Sequence, residues 1–380
     1  MLDFEKGELE ALYRELHQHP ELGNQEYRTT ERIEKELEKL GIQTYHVTET
    51  GVIGYLECIP GAEAVAFRAD IDALPIAEET GASYASKVPG IMHACGHDFH
   101  TAALLGAARI LAEGRERLSK NLVFIFQPDE EGDGGAQRIL ESGILKKLRV
   151  QAVFGAHINP ALPAGAIGIR YGRFYASACK FDVTVRGKGT HGAEPEKGTD
   201  ALYAGARMCA EIKELTGDYQ GERGVATVGA FHAGNLRNII SDHADFLGII
   251  RTDGPELREE LKDRLREIIH RVNRETGTTS DSKIVDGYVG VTNHHRETVL
   301  VEETARKLFS PEKVIVEDES TMTTEDFGFY LQEYPGSYYH IGVGSEYPLH
   351  NSRMCPNLQA LPMAAEFHAA VAEAWMEKDN

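Results

Sequence analysis

The 380-residue sequence predicts an α/β fold: a discontinuous larger domain, residues 1–174 and 291–380, with a mainly parallel sheet flanked by helices, and an inserted βαββαβ (ferredoxin-like) unit at 175–290. Three observations predict it. Strand-like and helical stretches alternate up to Gly172, the pattern of a parallel sheet covered by helices. The order then changes to strand, helix, two strands, helix, strand, a compact split unit of its own. From about Asn293 the first pattern resumes.

In chain order, an amphipathic helix over about 5–18 stops at His19-Pro20, because proline disfavours helix at the residue before it. YRTTERIEKELEKLGI gives a second helix, with Thr29 or Thr30 as its cap and Gly41 at its end. GVIGYLE and AVAFRAD read as strands, HTAALLGAARILAEG as a helix, NLVFIFQ as a strand, GGAQRILESGIL as one helix and VQAVFGAHI as a strand. The inserted unit runs KFDVTVRG, DALYAGARMCAEIKEL, GVATVGAF, HADFLGIIR, PELREELKDRLREIIHRVNRET and SKIVDGYV. A helix, the strand SYYHIGVG and a closing helix complete the chain. The junctions near 173 and 290 read as short hinges, so the inserted unit could close as a lid. Ligand sites in such sheets sit beyond the carboxyl ends of the strands.

Composition narrows the function classes. Sixty acidic against forty basic residues give a formal charge of −20, a field that repels nucleic acid. The longest apolar runs, such as LVFIF at 122–126, are far too short to span a bilayer, and no signal peptide is visible. Five cysteines without framework spacing imply a reducing, cytoplasmic setting.

Chemistry-bearing residues gather at the predicted strand ends. MHACGHDFH at 92–100 puts a thiol, three imidazoles and a carboxylate just before a helix, and Cys95 and His97 can face one metal. A lone Cys-x-His serves equally as a buried cysteine and capping polar groups. NLVFIFQ runs into Pro128, Asp129, Glu130 and Glu131; adjacent carboxylates at a buried strand end repel unless cations hold them. One can ligate while its neighbour takes a proton from activated water, and the plainer reading is a solvated acidic loop. His157 and His350 follow two further strands, each alone more often structural than ligating. Arg68, Asp70 and Asp72 close another, where an aspartate could accept the second ring N–H of a ligating histidine, or simply pair with the arginine.

These strings resemble the dimetal aminoacylase and carboxypeptidase family, in its N-acyl-amino-acid amidohydrolase branch. The matching segments span nearly the whole chain: LHQHPELG (16–23), RADIDALPI (68–76), MHACGHDFHTA (92–102), FQPDEEG (126–132), GAHINP (155–160), GKGTHGAEP (187–195), TEDFGFYL (324–331) and YPLHN (347–351). The resemblance implies metal ligands Cys95, His97, Glu131, His157 and His350, with Cys95 or a water between two ions, and Glu130 as general base. It makes Asp70 the aspartate that orients a ligating histidine, and His191 a group that steadies the oxyanion in a partner subunit's site. Asn238 and Arg251 match substrate-carboxylate contacts.

The resemblance also implies a homodimer formed through the inserted unit. Mixed thiolate, imidazole and carboxylate ligation suits zinc or manganese, with nickel or cobalt as other occupants. The chain departs from many relatives at Asp129, Thr190, Gly192 and Glu196; Asp129 and Glu196 leave the acyl-group preference open. FQPDEEGDGGAQRILESG and GVGSEYPLH are similar to N-acetyldiaminopimelate deacetylases, with hippurate and auxin-conjugate hydrolases as close rivals. The expected activity is hydrolysis of the amide bond of small N-acyl amino acids. A metallo-dipeptidase or carboxypeptidase, and a non-catalytic metal-binding protein, are the competing classes.

Overall fold

The computed structural model describes residues 6–378, which group into two compact units. The first contains residues up to Gly172, Thr292–Glu319 and the chain from Phe329; the second contains Arg173–Val291 and Ser320–Gly328. The last segment is a further excursion that the periodicity did not signal, because it is irregular chain between a short strand and a short helix.

The first unit is built on a sheet in the order Gln43–Tyr45, Val52–Leu56, Asn121–Gln127, Ala64–Asp70, Val150–Asn159, Gly336–Gly342, Ile167–Ile169, Val314–Val316. The four strands from Asn121–Gln127 to Gly336–Gly342 are mutually parallel, and the flanking pairings are antiparallel except the last. Ala64–Asp70, Asn121–Gln127 and Gly336–Gly342 are buried at every position, as strands covered on both faces must be. Phe67 aligns with Phe124 and Phe154 across the pairings and stacks on Phe154 at 5.5 Å between ring centroids.

Helix Lys6–Gln18 buries Leu9, Leu12, Tyr13 and Leu16, the stripe its period foretold. Helix Tyr27–Lys39 is capped differently from expectation. Thr29 and Thr30 lie inside it, and the Glu21 carboxylate takes the N–H groups of Arg28 and Thr29 at 3.1 and 2.8 Å. The expected helix after the acidic loop is two, Ala136–Glu141 and Ile144–Lys147, broken at Gly143, whose φ of +71° is left-handed. Helices His97–Glu113 and Ala360–Lys378 pack against each other closely enough that a Cβ on Gly106 would sit 2.7 Å from the Ala365 Cβ.

The second unit has an antiparallel sheet in the order Gly217–Tyr219, Glu222–Ala233, His243–Thr252, Ser177–Arg186, Thr279–Asp286. Helices Ala201–Lys213 and Pro255–Thr276 contribute Ala204, Met208, Leu261 and Leu265 to a core with Phe181, Val183, Phe246 and Ile250. Asp200 caps the first of these helices by accepting from the Tyr203 N–H at 3.0 Å. Thr190–His191 pairs with Ile239–Ile240 in a separate two-stranded ribbon. No described helix is long and apolar enough to cross a membrane.

Candidate metal centre

The carboxyl ends of the parallel strands and the loops that follow them bring five side chains together. Cys95 Sγ lies 3.4 Å from His157 Nε2 and 3.3 Å from His350 Nε2. The ligand atoms of Cys95, His97 and His157 lie within 4.8 Å of one another, as do those of Cys95, Glu131 and His350. His97, Glu130 and Glu131 form a third such group, so the five expected ligands and the expected base are one constellation with Cys95 shared.

Local structure presents each atom. Gly96 starts helix His97–Glu113 at φ +83°, where a Cβ would lie 2.2 Å from Ile158 Cδ1, so only glycine lets the MHACGH loop turn against the neighbouring strand. His97 Nδ1 donates to Asp72 Oδ1 at 3.1 Å, and His157 Nδ1 donates to the Ile158 carbonyl at 2.8 Å. Both rings therefore hold a proton on Nδ1 and turn Nε2 inward, the nitrogen that a cation would take. The other imidazoles of the string are different. His100 is satisfied on both sides, donating to Asp70 at 2.6 Å and accepting the Ile158 N–H at 2.9 Å, whereas both ring nitrogens of buried His93 lack a hydrogen-bond partner.

Asp72 does more than pair with His97. Its second oxygen accepts the Glu131 N–H at 3.0 Å, so one carboxylate fixes two candidate ligands. This corrects the expectation for Asp70: that side chain holds His100 and the Arg68 guanidinium, the latter at 2.7 Å, and is 3.7 Å from His97 Nε2. The two aspartates are two residues apart at one strand end, and sequence does not reveal which of them reaches the helix.

Charge shows what the cluster lacks. Burial, together with the Glu131 and Glu130 carboxylates, pushes the Cys95 thiol well above its usual range. Burial opposes charging of His97, but Asp70 and Asp72 outweigh it and push the ring up to about 10. Burial and His100 hold His157 well below its ordinary value, hence neutral. His97 Nε2 and Glu131 Oε1 are buried without a hydrogen-bond partner, although Glu131 Oε1 approaches His350 Nε2 to 3.0 Å. A divalent cation in each overlapping group would satisfy these atoms and draw the thiol to its thiolate. The donor set fits.

The acidic loop is shaped by Asp129 rather than by solvent. Asp129 is buried at φ +59°, receives Arg138 at 3.0 Å, and its carboxylate lies where a Cβ on Gly23 or Gly132 would fall, at 2.3 and 2.2 Å. Buried Glu26 braces the same loop by accepting the Asp129 N–H at 3.0 Å. Asp129 thus holds the turn that presents Glu130 and Glu131. Neither it nor Glu26 was legible as a structural carboxylate: the acidic run holding Asp129 looks solvated in sequence, and Glu26 meets that loop only across about a hundred residues of chain.

The remaining expected residues lie in the second unit. His191 and Asn238 are neighbours on the small ribbon: the Gly192 N–H donates to the Asn238 carbonyl at 2.7 Å, and both side chains are exposed. Glu196 is exposed in the turn Pro195–Lys197. Arg251 is half-buried on strand His243–Thr252 and donates to Thr324 Oγ1, so it is already engaged within its own unit.

The sequence profile of peptidase family M20/M25/M40 matches residues 66–374. The chain belongs to that family. It is 36% identical over 360 residues to N-acetyldiaminopimelate deacetylase from Bacillus cytotoxicus, covering 93% of this M20 chain and 94% of the relative. It is also 34% identical over 376 residues to thermostable carboxypeptidase 1 from Saccharolobus solfataricus, covering 96% and 94%. A Bacillus subtilis crystal structure described as a dinuclear metal-binding M20 peptidase superposes with a TM-score of 0.87 at 33% identity, covering 98% of each chain.

Proposed function

We propose that this M20 protein hydrolyses the amide bond of small N-acyl amino acids, with two divalent ions, zinc or manganese, held by Cys95, His97, Glu131, His157 and His350. The observation that carries the reading is the pair of overlapping ligand groups that share Cys95 and contain the orphaned buried atoms His97 Nε2 and Glu131 Oε1. Ions bound there supply Lewis acidity that makes water nucleophilic near neutral pH and polarises the scissile carbonyl.

The chain's own groups do the rest. Asp72 keeps the His97 proton on Nδ1 and fixes the Glu131 backbone, so both ligands are set before anything binds. A Glu130 carboxylate oxygen takes the proton of the attacking water and returns it to the leaving nitrogen. Its 6% exposure keeps that proton from bulk water. The second unit, essentially 175–290, is proposed as a lid and homodimerisation module that supplies His191 to the developing oxyanion and Asn238 and Arg251 to the substrate carboxylate.

The relatives' names support this substrate class and also a second one, since the similar Saccharolobus protein is named a carboxypeptidase. Turnover of N-acetyl, N-benzoyl and diaminopimelate conjugates beside unblocked dipeptides, by metal-loaded and chelator-stripped protein, tests both. Metal-dependent release of amino acid from the acylated compounds is the expected result. Preferential cleavage of dipeptides moves the peptidase reading to the front, and no turnover with metals confirmed bound overturns both.

A further inference from the structure

The candidate ligands are not oriented equally. His97 and His157 each have a ring partner, Asp72 or the Ile158 carbonyl, whereas His350 Nδ1 has none among the described residues. His350 is also the most open of the three, its side chain 52% exposed, and sits at φ +62° in a loop between buried Val343 and buried Met354. A left-handed backbone at a non-glycine residue persists only where its surroundings hold it. On the N-terminal side of His350, Leu349 packs, partly buried, against the core of the first unit. A cavity of about 490 Å³ lies against the loop, lined in part by Glu79, Glu346, Tyr347 and Arg353.

Hydrogen bonds tie the loop down on either side of His350. The His350 N–H donates to the Ala94 carbonyl at 2.9 Å. Two residues on, Ser352 is gripped from both ends by Glu79: its carbonyl accepts the Glu79 N–H at 2.8 Å, and its hydroxyl donates to Glu79 Oε2 at 2.7 Å. The Arg353 guanidinium adds a looser contact to the same carboxylate at 3.8 Å.

We propose that Glu79 is a positioning residue for His350, fixing through Ser352 the loop that carries the imidazole and so taking the place of the ring partner that His97 and His157 possess. The inference rests on the assignment of His350 as a metal ligand. It gives the two ion positions different supports: the group of Cys95, His97 and His157 is set by interior partners, whereas in the group of Cys95, Glu131 and His350 the Glu131 backbone shares Asp72 and the His350 arm depends on an exposed clamp. Glu79 then matters to one ion and not to the other.

The test is titration of chelator-stripped protein with cobalt(II), following bound ion per chain by equilibrium dialysis and the visible absorption of the protein-bound metal. His350→Ala should weaken one of two ions and leave the other, which establishes the ligand assignment independently. Glu79→Ala should weaken that same ion about threefold to tenfold, the scale of one solvent-exposed hydrogen bond, with the other unchanged. Ser352→Ala should reproduce the loss and the double variant should add nothing to it, while Glu79→Gln, which still accepts from the hydroxyl, should restore binding to within about twofold. In metal-free protein, Glu79→Ala should also speed amide hydrogen exchange at His350. Wild-type affinity for both ions in Glu79→Ala, or equal weakening of both, overturns the positioning role. Two ions retained at full affinity in His350→Ala overturns the ligand assignment instead.

Discussion

The candidate groups of the first unit and those of the second are built on opposite principles. Cys95, His97, Glu130 and His157 are buried at the mouth of a four-stranded parallel core, each fixed by elements that pack for their own reasons. His191 and Asn238 stand exposed on a two-stranded ribbon, and Arg251 is committed to Thr324. Buried polar and charged groups are expensive to assemble and are organised before a ligand arrives; exposed ones cost little and are organised by what they bind. The difference teaches where substitutions should damage binding of ions and where they should damage only turnover.

The largest effect is expected at Glu130. Glu130→Gln keeps the shape of the loop and should lower kcat by about 10²- to 10⁴-fold with both ions retained. Steady-state kinetics beside metal analysis checks it, and near-normal turnover would remove the base assignment. His191→Ala should cost about 10²- to 10³-fold in kcat if it steadies the oxyanion, with the melting temperature unmoved because the side chain is exposed. A large loss of thermal stability there would break the contrast between the units.

Asp72→Asn replaces an acceptor shared by His97 and the Glu131 N–H, and should weaken ion binding about 10- to 100-fold, measured by chelator competition. Asp70→Asn should do so less, since Asp70 serves His100 and Arg68.

The smallest effect concerns pH. Burial opposes the charge on His17, but hydrogen bonds to Asp98 and Glu78 prevail and push it up to about 10. A raised folded value means that its stabilisation is complete below the unfolded value near 6.5 and is lost as pH rises from there through about 10. Burial instead holds His368 down to about 3, so its neutral form favours folding above pH 6.5 and that contribution is lost as pH falls toward 3. Thermal melts of the wild type should therefore fall on both sides, by about 2–4 °C per kcal/mol. His17→Gln should flatten the alkaline limb alone.

Much of this arrangement was legible in the sequence. Alternation of apolar strands and helices gave the architecture because a strand buried on both faces is written around a continuous apolar run, as LVFIF in NLVFIFQ and AVAF in AVAFRAD are. The constellation was legible because four strand ends carried ligand-type side chains and their strings resembled a known family. What periodicity left out is what depends on long-range geometry: Asp72 rather than Asp70 on His97, Asp129 turned inward between two glycines, Glu21 capping a helix in place of a threonine. Each is a carboxylate whose role is decided by a partner far away in the chain or by a turn of the backbone.

The sheet of the first unit carries a consequence for synthesis. Strand Val150–Asn159, ten residues and mostly buried, finds its parallel neighbour in Gly336–Gly342, on the far side of the entire second unit. At 5–20 residues per second, roughly 10–40 s separate the two on the ribosome, during which a nascent chain shows an unpaired edge in the middle of its future core. The second unit, contiguous but for one short segment, can fold in that interval. Expression at low temperature or with a holding chaperone should accordingly raise the soluble yield of this chain more than that of its excised second unit.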